Sequence, residues 1–131
     1  ALAGLVSITA EPLYPSILGA VLIGGVGGAI AVFTVPLLDK FKIDDVVGAI
    51  PVHLVAGIWG TLIVPASNPD TSYLTQLIGV VAIGAFVFVA SFIVWTVLKM
   101  TVGIRADEEH EINGLDTSEM GMEAYPDFVR A

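Results

Sequence analysis

One histidine stands where an apolar setting should exclude it. Residues 49–64, AIPVHLVAGIWGTLIV, carry His53 as their one titratable side chain. A neutral imidazole has one donor and one acceptor nitrogen and changes charge near neutral pH. Three uses compete: a structural hydrogen bond to a neighbouring helix, a metal ligand, or a relay along a conduction path. Metal ligation lacks partners, because the chain has no cysteine, the apolar runs hold no carboxylate, and His110 lies far along in an acidic stretch. The structural and relay readings stay open, since an ionisable group in a membrane span marks function by default and polar side chains also bond across helices there. On a straight helix Ala49, Gly57, Gly60 and Val64 fall on the face of His53, a small apolar surround that leaves room for a helix or a narrow path. No Ser/His/Asp set, cysteine nucleophile or carboxylate pair in the spans points to an enzyme, and no cofactor is implied.

The elements that hold this residue follow from charge. Hydrophobic residues make up 56% of the 131, charged residues 14%, and the mean hydropathy is +0.89. A soluble domain carries about a quarter charged residues. Stretches 13–38 and 71–98 have no charge, and 46–69 has only His53. Each exceeds the ~20 residues that cross a ~30 Å hydrocarbon core as a helix. The fold class expected is all-α and polytopic, with spans at about 13–39, 46–66 and 72–100. These form a membrane domain over 1–103, followed by a polar tail over 104–131. The opening ALAGLVSITA has no basic region of a signal peptide and reads as the last turns of an earlier helix.

Orientation comes from the basic residues. Lys40 and Lys42 follow the first span and Lys99 and Arg105 the third, while residues 65–73 contain none. The positive-inside rule puts the first and third sites, and the tail, in the cytoplasm. Tyr14 and Tyr73 fall at the outer interface and Trp95 near an inner one. The net charge of -8 sits mostly in the tail and argues against nucleic acid as a partner.

In the first span, Ala20, Gly24 and Gly28 make a small-residue stripe suited to close helix packing. The glycines lack the spacing, preceding strand and acidic residue of a dinucleotide site. Asp44 or Asp45 is placed to cap the second span, and Pro51 falls in its first turns.

Two separated motifs, KIDDVVGAIPVHLVAGIWGTL and EEHEINGLDTSEMGMEAY, together resemble the C-terminal third of the ammonium transporter family, which includes the Rhesus proteins. The resemblance covers essentially the whole chain. It implies an eleven-helix protomer in a plasma or inner membrane, a cytoplasmic C-terminus and a homotrimer with one pore per protomer. The three spans would be the last three helices, the others being supplied by the remainder of the same transporter. Family members hold two histidines, from different helices, hydrogen-bonded inside a hydrophobic pore. His53 aligns with the second of them. Ammonium or ammonia is the implied substrate, and a sensor or regulatory subunit with little flux is the alternative. The chain departs from the pattern at Gly48, where a third acid is usual, at Leu54, where glycine follows the histidine, and at Met120, which replaces a histidine. Gly114, Leu115 and Asp116 match a cytoplasmic signature that implies packing beneath the pores and communication between neighbouring protomers, and a cytoplasmic nitrogen-signalling protein of the PII class is a candidate partner. Ser118 aligns with a position phosphorylated in some members. A plain solvated acidic tail is the competing reading of this segment, and His110, between two glutamates, reads as solvated.

Overall fold

Long apolar runs without turn residues leave the backbone one way to satisfy its own hydrogen bonds in a dry setting, the helix. The computed structural model describes residues 1–126, and every regular element among them is helical. Helix α1 is Leu2–Ile8, α2 is Ile17–Lys40, α3 is Ala56–Ile63, α4 is Tyr73–Thr101, α5 is Glu108–Asn113 and α6 is Leu115–Met120. A π-helical turn, Ile50–Val55, leads into α3, and a 3-10 turn, Val64–Ala66, ends it.

Local signals set the ends. Ser16 Oγ accepts the Gly19 amide at 3.1 Å and caps α2. At the other end, Ile43 N–H donates to Leu38 O and Lys42 N–H to Asp39 O, both at 3.0 Å. Together they form a Schellman motif whose left-handed residue is Lys42, at φ 57°. Gly103 ends α4 at φ 78°, its N–H on Leu98 O at 3.1 Å.

Helices α2 and α4 have 24 and 29 residues, enough to cross a bilayer, and only 11% and 0% of their most apolar stretches are buried. The expected middle span is composite: turns and helix of 6, 8 and 3 residues replace one regular helix. At ~1.5 Å per residue its reach is about 25 Å, near the lower limit for crossing.

The chain divides into two compact units, Ala1–Phe86 and Val87–Ala131. In the first unit α1 wedges against α2, the π turn and α3. Its core is built of Ala3, Ala31 and Ala56, with Val52 packed on it. Such small residues suit a setting where lipid supplies no hydrophobic drive and close backbone contact must do the holding. The stripe on α2 is turned from the one expected: Gly24 meets Gly4, Gly27 meets Ser7, and Ala31 is buried, while a methyl on Gly28 would meet nothing within 4 Å. The contact runs along the i, i+3 ridge from Gly24 to Gly27, where the spacing of four had been expected.

One further tie joins two loops of this unit. Asn68, only 7% exposed, donates through Nδ2 to Glu11 Oε2 at 3.0 Å, and its Oδ1 accepts the Asp70 amide at 2.9 Å. The α1–α2 and α3–α4 connections are thereby latched together.

Candidate functional site

The approach to His53 is fixed by a carboxylate. Asp45 accepts the amide of Ala49 through Oδ1 at 2.8 Å and of Ile50 through Oδ2 at 2.7 Å. A negative group at unpaired helix-start amides is the stabilising arrangement, and of the two aspartates it is Asp45 that takes it. Between Asp45 and Ala49 the chain turns at Gly48, at φ 69°. A side chain there would be strained by ~1–2 kcal/mol, which gives the missing third acid a local reason.

The π turn then decides which residues share a face. The Ala56 N–H is shared between His53 O, three residues back, and Pro51 O, five residues back. Pro51 has no N–H to give to the preceding turn, and its ring crowds the carbonyl four residues back, a setting that suits a wider turn. Pro51 and Ala56 both face inward and are fully buried, whereas His53 and Leu54 between them face outward and are exposed. In an uninterrupted α-helix His53 and Gly60 would lie within about 20° of each other. Here they part: Gly60 is buried against the Ser7 carbonyl, which a methyl would overlap, and Val64 is 6% exposed. Gly57 is half-buried, its nearest outside neighbour Val6 Cγ1 at 3.8 Å from a built methyl, and Ala49 is exposed. Of the expected small-residue surround, Ala49 shares the exposed side of the turn with His53, and Gly60 has gone to the packing side.

Among the described residues the His53 imidazole makes no hydrogen bond. The ring is exposed on the surface of its unit.

Two residues in this region were not singled out in the sequence. Ser7 is 1% exposed and donates to Ala3 O at 2.8 Å and towards Ala56 O at 3.3 Å. The signal was present in Ala3, Gly4 and Ser7, a small-residue stripe at helical spacing carrying one hydroxyl. Trp59 Nε1–H donates to Ile23 O at 3.0 Å and ties α3 to α2. It walls an open groove of about 500 Å3 together with Tyr14, Gly19, Leu22 and Ile63. Nothing in its sequence position distinguished it from an interfacial tryptophan.

The tail residues form their own cluster. Gly114, at φ 101°, breaks the chain between α5 and α6. Asp116 accepts the amides of Thr117 at 2.9 Å and Ala124 at 2.8 Å, closing the loop that follows α6. Ser118 Oγ turns back to Gly114 O at 3.3 Å and Leu115 O at 3.4 Å, while Leu115 is exposed. Residues 127–131 of the expected tail lie outside the described residues.

Arg105 grips Glu111 with two bonds of 2.8 Å, and this hydrogen bonding, opposed by slight desolvation and aided by the charge, lowers the Glu111 carboxyl below its ordinary range. A depressed carboxylate contributes stability above its unfolded pKa and loses it as pH falls through the folded one. The pair should therefore persist at neutral pH and open only in acid below the usual glutamate range. In Arg105→Gln the Glu111 titration midpoint, followed by carboxyl NMR, should rise; an unchanged midpoint contradicts the pairing.

The described residues are all-helical in their regular elements and include two exposed helices long and apolar enough to cross a membrane. The chain belongs to the ammonium transporter family: the profile of the Ammonium Transporter Family matches residues 1–125. It is 38% identical over 136 residues to ammonium transporter Amt1 of Haloferax mediterranei, covering 98% of this chain and 26% of that protein. Amt2 of Archaeoglobus fulgidus is 37% identical over 150 residues, covering 98% and 32%. The ammonium transporter of Bacillus subtilis is 31% identical over 145 residues, covering 98% and 36%. The chain thus spans between about a quarter and a third of the length of these relatives.

Proposed function

We propose that this chain is the C-terminal part of an ammonium transporter and supplies one of two histidines that share a hydrogen bond in a hydrophobic pore. The observation that carries the reading is the imidazole of His53: set in an apolar run, turned out of the packed unit, and unpartnered among the described residues. Leaving such a ring unpaired in hydrocarbon is costly, which supports a polar companion for it on another helix of the transporter. The relatives, three to four times as long in sequence, have the helices to provide it. Paired imidazoles can accept and donate to ammonium or ammonia as it sheds water or a proton, whereas potassium has no hydrogen to donate. Ala49 and Gly57 flank the path, and Gly60 holds the helix to its neighbour.

The same reading takes the protomer as eleven helices in a homotrimer, with the tail on the cytoplasmic side by the charge rule. The Gly114–Leu115–Asp116 turn and Ser118 then form a regulatory surface for a PII-class partner. A phosphate on Ser118 would face the carbonyls of Gly114 and Leu115 and the carboxylate of Asp116, an arrangement that repels it and would open the turn.

One observation favours the sensor alternative. Leu54 is 55% exposed beside His53 and can narrow the passage. Ammonium uptake into liposomes holding the full-length protein separates the two. Conduction through the ring predicts that His53→Ala removes most of the uptake. Uptake equal to wild type in His53→Ala sinks the mechanism, and negligible wild-type flux with ammonium-dependent partner binding selects the sensor.

A further inference from the structure

We propose that Ser7 is a positioning residue for His53: its hydroxyl clamps the residue that closes the π turn and so sets the direction in which the imidazole leaves the bundle. The inference rests on the reading of His53 as a conduction residue. Ser7 lies where α1, α2 and α3 converge and is 1% exposed. A hydroxyl so deeply placed is sustained only by its bonds. Its single hydrogen is shared between Ala3 O, 2.8 Å away in its own helix, and Ala56 O, 3.3 Å away. Glycine stands opposite on both sides, since a methyl on Gly27 would overlap the Ser7 hydroxyl and one on Gly60 the Ser7 carbonyl. An alanine at position 7 would fill most of this space equally well, so packing alone does not call for the oxygen.

Ala56 is the pivot. Its N–H closes the π turn on Pro51 O, and its carbonyl is the one that Ser7 meets. Two closures compete at this point, over five residues as in the π turn or over four as in an ordinary α-helix. With the four-residue closure, His53 would swing towards the face of Gly60, which is packed against α1. By holding Ala56 inward, the hydroxyl favours the closure that keeps the ring outward, where a second imidazole can reach it.

The test uses the full-length transporter in liposomes, with ammonium as the probe and rates expressed per folded protein. Ser7→Ala should lower the maximal uptake rate by about tenfold to a hundredfold, the upper end being the scale of an ångström-sized misplacement, with little change in half-saturating concentration. It should also shift the pH profile of uptake. Ser7→Cys keeps a weak donor and should recover part of the rate. A hydroxyl that merely stabilises the fold would lower the melting temperature and leave rate and pH profile as in wild type, and that result overturns the proposal. Where Ser7→Ala yields no folded protein, Ser7→Cys is read in its place, and a rate and pH profile equal to wild type overturn the proposal. If His53→Ala also retains the wild-type rate, the conduction reading has failed. If His53→Ala loses it while Ser7→Ala does not, the clamp alone has failed.

Discussion

Alanine in place of Gly60 is expected to destabilise the full-length protein by about 1–3 kcal/mol, the range for methylenes forced into a closed contact. The added carbon would overlap the Ser7 carbonyl oxygen and its neighbouring backbone atoms. Backbone cannot swing aside as the end of a long side chain can, so α1 and α3 must separate. The better helix propensity of alanine returns ~1 kcal/mol at most. Separation also loosens the Ser7–Ala56 contact, so uptake should fall together with stability. The control is Gly28→Ala, where a methyl would meet nothing within 4 Å in this chain. Thermal unfolding of both variants in detergent should show a large loss for position 60 and little or none for position 28. Equal melting temperatures would contradict the close approach of α1 to α3.

The contrast between positions 60 and 28 also marks where sequence reasoning reached and where it stopped. The long helices were readable, because a bilayer imposes a minimum run of uncharged residues and charge placement marks the ends. α2 and α4 occupy the first and third of those runs, and the cap at Asp45 was foreseen from the aspartate pair. His53 stood out for the same reason that buried charge is rare. Which glycines touch was not readable. Both Gly24–Gly28 and Gly24–Gly27 are plausible stripes, and the choice depends on the angle at which α1 crosses α2. The π turn was equally hidden. A proline two residues before the histidine signalled an irregular start, but whether it bends, begins or widens the helix depends on contacts made by Ala56 and Ser7, far apart in sequence. One extra residue in a single turn was enough to move Gly60 off the face of His53.

The second large effect concerns the start of that turn. Asp45→Ala should cost about 2–3 kcal/mol, because two amides, of Ala49 and Ile50, lose one charged acceptor at once; a bond to a charged group contributes ~1.5–3 kcal/mol. The two donors are not equivalent, for Ala49 is exposed and water can replace its bond, whereas Ile50 is partly buried and its amide would be left with less recourse. Asp45→Asn keeps one carbonyl oxygen and the shape of the side chain, so it should retain one of the two bonds and lose less than alanine does. Asp44 is the internal standard, being exposed and making no side-chain hydrogen bond among the described residues. Thermal unfolding should therefore rank the variants Asp44→Ala, Asp45→Asn, Asp45→Ala in order of increasing loss. Because the freed amides lead straight into the π turn, Asp45→Ala should also blur the orientation of His53 and reduce uptake. If Asp44→Ala and Asp45→Ala melt together, the carboxylate does not hold the turn, and its direction must be set from the Ser7 side alone.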